Sequence, residues 1–185
     1  MVCKVQSYNG KKMIRIRPAI PNDLKELVAI FDYARHFMRQ CGNPVQWIDG
    51  YPSEELILQE INDKHCFVCE DERNELLGTF CYIAGNDPTY ACIEEGEWLN
   101  NEPYAVIHRM ASNGKVKGIS DICLQWCFDK GHNIRVDTHE DNTVMQAILI
   151  KNGFQRCGII YVENGTARIA FQTNTTTFGL KLITF

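Results

Sequence analysis

The feature that most limits the fold of this chain is a strand that runs through a basic, glycine-containing turn straight into an amphipathic helix. It occupies residues 108–133, HRMASNGKVKGISDICLQWCFDKGHN, and the helix is predicted from about Lys117 to Lys130. Backbone N–H groups of such a turn converge near the positive end of a helix dipole, an arrangement that binds phosphate groups. The segment therefore predicts a ligand that carries phosphate.

Composition favours one globular domain and argues against a nucleic-acid-binding protein. The chain has 185 residues, of which 45% are hydrophobic, enough for one substantial core. Its formal net charge is -4, and its lysines and arginines are scattered along the chain. We therefore expect a single domain and no nucleic-acid partner.

Two further features predict the cellular setting and the state of the cysteines. No apolar run approaches the roughly 20 residues that a membrane helix needs, and residues 1–12 lack the hydrophobic region of a signal peptide. The nine cysteines are an odd set spread over the chain, as expected for reduced thiols. Cys66 and Cys69 would lie on opposite faces of a strand, so no metal site is expected. We expect a cytoplasmic protein with no membrane partner.

Hydrophobic periodicity predicts an alternation of strands and helices from residue 13 to residue 172, which we expect to be a single domain. The predicted order, β-α-α-β-β-β-α-β-α-β-β, indicates an α/β protein with a mixed sheet and helices on its faces. Strands are predicted near 13–17, 66–69, 76–83, 104–111, 134–138, 154–161 and 167–171. Residues 1–12 are predicted to be an N-terminal extension. Residues 173–185 are predicted to be a C-terminal tail that either adds an edge strand or is disordered.

Two loops carry candidate substrate-binding side chains. The segment 44–52 combines turn formers with Trp47 and Tyr51, which either line a pocket or simply cover the core. The segment 85–103 is irregular and acidic, and it contains Glu94 among several carboxylates. Its charge is unsuited to phosphate and suited to a cationic amine.

From Met13 to Gln172, the element order and two motifs resemble the GNAT superfamily of acetyl-CoA-dependent N-acyltransferases. The first family motif is a turn of the form Arg/Gln-x-x-Gly-x-Gly/Ala after a strand, and residues 115–120, KVKGIS, take its place here. The second motif, Asn-x-x-Ala-x-x-Leu-Tyr-x-x-x-Gly-Phe, corresponds to residues 142–154, which keep its Asn, Gly and Phe. The resemblance implies a GNAT-like fold.

That fold is a mixed, mainly antiparallel sheet of six to seven strands with helices on both faces, and strands 104–111 and 134–138 are expected to splay apart. The resemblance also implies that acetyl-CoA or coenzyme A binds at the turn, where backbone amides would hold the pyrophosphate and two lysines would add charge. The N–H of Met110 or a neighbour would polarise the thioester carbonyl. The residues implied to bind the cofactor are Met110, Ala111, Ser112, Lys115, Val116, Lys117, Gly118, Ile119, Ser120 and Asn142.

One position departs from the family pattern. Leu149 stands where many members carry the tyrosine that is thought to protonate the departing thiolate. Tyr161 is a candidate replacement for that acid. The departure also supports a second hypothesis, in which the protein is a catalytically weak module that binds coenzyme A or acyl-CoA.

Acylation of an amine also needs a general base. Glu97 precedes the central strand and His108 lies on it; both are candidates, although each residue type is also common in purely structural roles. The sequence therefore predicts an N-acetyltransferase that moves an acetyl group from acetyl-CoA directly to a primary amine in a ternary complex. The acceptor is expected to be a small-molecule or peptide amine contacted by Trp47, Tyr51 and Glu94. Its identity and the oligomeric state, including a homodimer, stay open.

Overall fold

The computed structural model describes residues 5–8 and 12–174 of the chain. In these residues there are eight strands and four α-helices, in the order predicted except for an additional first strand. The strands are β1 Val5–Tyr8, β2 Lys12–Pro18, β3 Cys66–Glu70, β4 Leu76–Ala84, β5 Ala105–Ser112, β6 Asn133–Thr138, β7 Gln155–Tyr161 and β8 Ala167–Asn174. The helices are α1 Leu24–Gln40, α2 Glu54–Asn62, α3 Ile119–Phe128 and α4 Thr143–Lys151.

The hydrogen-bonded order of the strands is β1-β2-β3-β4-β5-β6-β8-β7. The recorded pairs are antiparallel except for β5 and β6, which are parallel. The predicted α/β class, with a mixed and mainly antiparallel sheet, is confirmed. The sheet has one strand more than expected because Val5–Tyr8, within the predicted N-terminal extension, pairs with β2.

At the other end of the chain, β8 continues to Asn174, two residues into the predicted tail. Residues 175–185, the rest of that tail, lie outside the described part of the chain.

The chain divides into two compact units. The first comprises Met1–Tyr82 and Arg109–Trp126, and the second comprises Ile83–His108 and Cys127–Phe185. The expectation of a single domain over residues 13–172 stays a prediction.

In the first unit, helices lie on both faces of the sheet. Side chains alternate along β3, so Val68 joins the core formed with Leu27 of α1 and Ile57 of α2, whereas Phe67 faces the other way. The ring of Phe67 packs 4.6 Å from that of Trp126 in α3. Each such buried apolar side chain contributes about 1.5 to 3 kcal/mol of transfer free energy, so these helices are fixed mainly by their apolar faces.

The cysteines of β3 follow the same alternation. Cys66 lies opposite Cys81 of β4, whereas Cys69 Sγ is 3.3 Å from Cys123 Sγ in α3. The prediction that Cys66 and Cys69 occupy opposite faces is confirmed. All eight cysteines among the described residues are free thiols.

In the second unit, the acidic segment before β5 is attached to β7. A Cβ on Gly96 would lie 1.9 Å from the carbonyl oxygen of Cys157, so only glycine allows this approach. Beneath this segment, a small core forms around the fully buried Tyr90 together with Val106 and Ile160. Part of the predicted irregular loop is therefore ordered against the sheet.

Strand β5 is irregular at its centre. Its parallel register with β6 covers Ala105 to Ile107, while β5 itself continues to Ser112. Arg109 then has a φ of 52°, a left-handed conformation that is uncommon for a residue other than glycine and that interrupts the regular pleat. The interruption falls on the strand that was expected to splay from its neighbour.

In the described residues, no helix is both long enough and apolar enough to cross a membrane.

Candidate functional site

The turn between β5 and α3 is anchored to β4 through Asn113. Its backbone N–H donates to the carbonyl of Leu77 at 3.0 Å, and its side-chain amide donates to the carbonyl of Leu76 at 2.8 Å. The side-chain oxygen of Asn113 accepts from the N–H of Lys115 at 3.0 Å. These three bonds fix the start of the turn. Asn113 was not among the predicted site residues, although asparagine is a common turn former.

The rest of the turn presents backbone donors. Gly114 and Gly118 both have positive φ, 73° and 82°, and the first hydrogen bond of the helix runs from Ile122 N–H to the carbonyl of Gly118. In residues 12–174, no backbone acceptor is recorded for the N–H groups of residues 116–120. Unpaired N–H groups at the start of a ten-residue helix make an anion-binding arrangement, so these residues suit a phosphate-bearing group.

The two lysines of the turn differ in their surroundings. Lys115 Nζ forms an ion pair with Glu75, which raises the pKa of the lysine above its ordinary value. Lys117 is exposed. The charge of Lys115 is therefore balanced in part by Glu75, and the prediction that both lysines add charge to a cofactor site stays a prediction.

The end of β5 packs closely against its neighbours. Met110 and Ser112 are half-buried and Ala111 is buried. A Cβ on Gly78 of β4 would lie 2.9 Å from the carbonyl oxygen of Ala111 and 2.6 Å from a side-chain carbon of Ile119. The absence of a side chain at Gly78 therefore allows the last part of β5 and the first turn of α3 to pack against β4.

The aromatic residues of the loop 44–52 occupy different environments. Trp47 is half-buried and packs edge-on against Phe31 of α1, with 5.7 Å between ring centres. Tyr51 is exposed, its ring centre is 6.4 Å from that of Trp47, and its hydroxyl accepts a hydrogen bond from Arg109 Nη1 at 3.0 Å. Trp47 thus packs against the core and Tyr51 presents an exposed edge, and their role in substrate binding stays a prediction.

Arg109 links this loop to α2. Its guanidinium forms an ion pair with Glu60, whose other carboxylate oxygen lies 3.1 Å from His65 Nδ1. Burial alone would lower the pKa of Arg109, but Cys81, Tyr51 and Glu60 keep that pKa above its ordinary value. This cluster was not among the predicted site residues; the available signal was a charged residue inside a mainly apolar strand.

In the structure, the side chains of Glu94 and Tyr161 lie close together, whereas Glu97 is exposed. Glu94 and Ile159 of β7 exchange two backbone hydrogen bonds of 2.8 Å, and Glu97 N–H donates to the carbonyl of Cys157 at 3.0 Å. Tyr161 is exposed at the end of β7, and the charge of Glu94 raises the pKa of its phenol. Tyr161 therefore keeps its proton at neutral pH.

His108 is held by a carboxylate. Its Nε2 lies 2.8 Å from Oδ2 of Asp87, whose other oxygen accepts from the N–H of Thr89 at 2.8 Å. The hydrogen bond with His108 is the main cause that lowers the pKa of Asp87 to about 2. The ring of Tyr90 packs edge-on against the imidazole, 5.8 Å between centres, and its hydroxyl donates to Asp137 at 2.6 Å.

Arg135 of β6 contacts the acidic segment 85–103. Its guanidinium lies 4.0 Å from the ring centre of Trp98 and 3.9 Å from that of Tyr104, and it donates to the carbonyls of Asn100 at 3.1 Å and Tyr90 at 3.4 Å. Burial lowers the pKa of Arg135 below its ordinary value. Stacking between two aromatic rings stabilises the buried guanidinium, for which no carboxylate partner is recorded in the described part of the chain.

Comparison with solved structures identifies the family. The chain is similar to a GNAT-family acetyltransferase from Streptococcus agalactiae 2603, with 31% identity, a TM-score of 0.82, and coverage of 94% of this chain and 98% of that one. The chain belongs to the GNAT acetyltransferase family. The GNAT fold is also shared with a family member from Listeria monocytogenes 4b F2365, with 19% identity, a TM-score of 0.69, and coverage of 92% of this chain and 99% of that one. It is shared as well with a family member from Bacillus cereus ATCC 10987, with 20% identity, a TM-score of 0.58, and coverage of 88% of this chain and 97% of that one. No family model matches the sequence, and no curated protein sequence matches it either.

The second GNAT signature occupies α4 and its ends. Asn142 caps the helix, its side-chain oxygen accepting from the N–H of Met145 at 3.1 Å, and Gly153 follows the helix with a φ of 84°. Leu149 is completely buried in the core. In this GNAT chain, the position of the usual tyrosine therefore holds no proton donor, and the side chain of Asn142 is engaged as a helix cap.

Proposed function

We propose that this protein is an N-acetyltransferase that transfers an acetyl group from acetyl-CoA to a primary amine by direct transfer in a ternary complex. Membership of the GNAT family supports the proposal, and so does one structural observation in particular. Among the described residues, no backbone acceptor is recorded for the N–H groups of residues 116–120, which lie at and just before the start of α3. An oriented set of donors suits the pyrophosphate of a coenzyme A thioester.

The proposed cofactor-binding residues belong to one continuous segment and to α4. The amides of residues 116–120 would hold the pyrophosphate beside Lys115, with Lys117 supplying charge that no ion pair recorded among the described residues offsets. Residues 110–112 at the end of β5 would lie along the rest of the cofactor, and Asn142 would contribute from the start of α4. When bound, acetyl-CoA supplies an acyl group already activated as a thioester.

The proposed acceptor is a small-molecule or peptide amine. Tyr51 offers an exposed aromatic edge with Trp47 behind it, and Glu94 offers an exposed carboxylate that attracts a cationic amine. Tyr161 is the proposed proton donor to the leaving group, because its phenol remains protonated and Leu149 cannot serve. Glu97 and His108 are the proposed candidates for the base.

The alternative, a module that binds coenzyme A without efficient catalysis, is favoured by one observation: Leu149 lies in the core where other family members carry a tyrosine. Both functions require coenzyme A binding, but only the enzyme is expected to turn over acetyl-CoA. Calorimetry should show coenzyme A binding in both cases, whereas release of free thiol from acetyl-CoA in the presence of pooled amines is expected only of an enzyme. Absence of binding would refute both.

A variant of the turn tests the cofactor site itself. Gly118→Ala places a side chain on a residue with a φ of 82°, and Gly165→Ala, at a φ of 77° in the hairpin between β7 and β8, is the matched control for backbone strain. We expect Gly118→Ala to lower coenzyme A affinity about tenfold or more, and Gly165→Ala to leave it unchanged. Equal affinities for the two variants would contradict the assignment of the turn.

A further inference from the structure

Among the three candidate acid and base groups in the second unit, His108 is the least exposed, and its Nε2 has a carboxylate partner 2.8 Å away. Glu97 is exposed, and among the described residues no hydrogen bond is recorded for its carboxylate. His108 keeps 18% of its side chain exposed while its Nε2 is bound to Asp87. The imidazole is therefore both held in place and open to a substrate.

Asp87 is itself fixed. It caps the short 3-10 turn Pro88–Tyr90, where its Oδ1 accepts from the N–H of Thr89, and only 16% of its side chain is exposed. One carboxylate oxygen thus serves the backbone and the other serves His108. A carboxylate that cannot rotate away imposes one orientation on the ring that it binds.

The hydrogen bond at Nε2 decides which ring nitrogen is basic. A carboxylate oxygen accepts the proton of Nε2, so the neutral ring carries its lone pair on Nδ1. In the described part of the chain, no hydrogen-bond partner is recorded for Nδ1. This nitrogen can therefore accept a proton from a bound molecule.

The ring is bonded to a negatively charged group. Among the described residues, the recorded contacts of the His108 ring are the bond with Asp87 and the edge-on packing of Tyr90. Tyr90 in turn contacts Asp137, which lies 3.8 Å from Arg168, and Tyr104, whose ring stacks on Arg135. The charged group bonded to the ring itself is therefore a carboxylate. A positive charge formed on the imidazole meets a carboxylate 2.8 Å away.

We propose that Asp87 is the positioning residue for His108, and that His108 Nδ1 is the general base that accepts the proton of the amine substrate. The assignment of the base rests on the proposed function. In this step an N–H bond of the ammonium group breaks, an Nδ1–H bond forms, and the amine keeps the electron pair with which it attacks. The charge moves from the substrate to an imidazolium that Asp87 neutralises.

Nuclear magnetic resonance of ring-labelled histidine tests the positioning without any substrate. At a pH where the imidazole is neutral, we expect the proton to reside on Nε2 in the wild-type protein. Asp87→Asn retains the ability to cap the 3-10 turn but removes the charge, so the neutral ring should populate both tautomers. Glu97→Gln, the matched control, should leave the tautomer unchanged. An unchanged His108 in Asp87→Asn, or an equal change in Glu97→Gln, overturns the positioning role.

The pH profile of kcat/KM for the amine tests the base. His108→Gln should lower kcat/KM about 100-fold or more, and Asp87→Asn about 10- to 100-fold, with the acid limb of its profile moved to lower pH. Asp87→Glu should restore part of the loss. Turnover with unchanged pH profiles in both variants would refute the roles of Asp87 and His108 but leave the proposed function standing. Failure to acetylate any amine would refute the proposed function and, with it, the assignment of the base. In that case the resonance experiment still decides the positioning role of Asp87.

Discussion

Replacement of Gly114 by alanine should destabilise the protein for two separable reasons. Gly114 lies in the turn after β5 with a φ of 73°, a conformation that disfavours any residue with a Cβ. In addition, a Cβ at this position would lie 2.0 Å from the hydroxyl oxygen of Tyr33 in α1 and 2.5 Å from the carbon that bears it. The aromatic ring would have to move as a whole.

Both contributions have expected magnitudes. The left-handed backbone costs an alanine about 1 kcal/mol. Tyr33 is 43% exposed, so its ring can move towards solvent, and its displacement from a preferred rotamer costs about 1 kcal/mol more. Gly165 has a similar φ of 77°, but its Cβ would meet nothing within 4 Å. Gly165→Ala should therefore lower the free energy of unfolding by about 1 kcal/mol and Gly114→Ala by about 2 kcal/mol.

Urea unfolding of both variants measures the difference, and Tyr33→Ala resolves its cause. In the double variant Gly114→Ala/Tyr33→Ala the clash is absent, so the two changes should cost about 1 kcal/mol less together than the sum of their separate costs. Equal losses for Gly114→Ala and Gly165→Ala, or additive effects with Tyr33→Ala, would show that Tyr33 does not constrain the turn.

Three further predictions concern charge and thiol chemistry. Arg135→Lys loses the planar stacking between two aromatic rings and should lower the free energy of unfolding by about 2 kcal/mol, with faster amide hydrogen exchange over residues 90–100. Because the pKa of Asp87, about 2, is below its ordinary value, the carboxylate stabilises the fold at pH above 4 and loses this effect as the pH falls towards 2. Wild type should therefore lose about 1 to 2 kcal/mol more than Asp87→Asn between pH 4 and pH 2, measured by urea unfolding. In a Cys3→Ser background, Cys41 and Cys92 should react with a thiol reagent in the native state and the six buried cysteines only after unfolding.

Local sequence patterns predicted most of the fold. The apolar spacing of α1 places Leu27, Phe31 and Met38 on one face, and all three are buried. The first strand escaped prediction because Val5–Tyr8 lies in a segment without alternation and becomes a strand by pairing with β2. A strand that is stabilised by pairing with a neighbouring strand need not show an alternating apolar pattern in its own sequence.

Candidate site residues were predictable by type but not by partner. His108 attracts attention as a histidine on a central strand, yet Asp87, 21 residues earlier, was predicted only as part of an acidic loop. The ion pair of Arg109 with Glu60 joins residues 49 apart, and no motif connects them. Side chains that come into contact only in the folded protein have no fixed separation along the sequence, so no motif predicts that they are partners.

The sequence alone determined the glycine-containing turn before α3 and the periodicity of the helices, because turn conformation and amphipathic burial depend on residues that are close along the chain. Only the tertiary structure decided that Asp87 binds His108, that Lys115 is paired with Glu75 and that Arg135 lies between Trp98 and Tyr104. Hydrogen bonds, ion pairs and ring contacts act over a few ångströms, and distant residues reach those separations only when the sheet brings their strands and loops together.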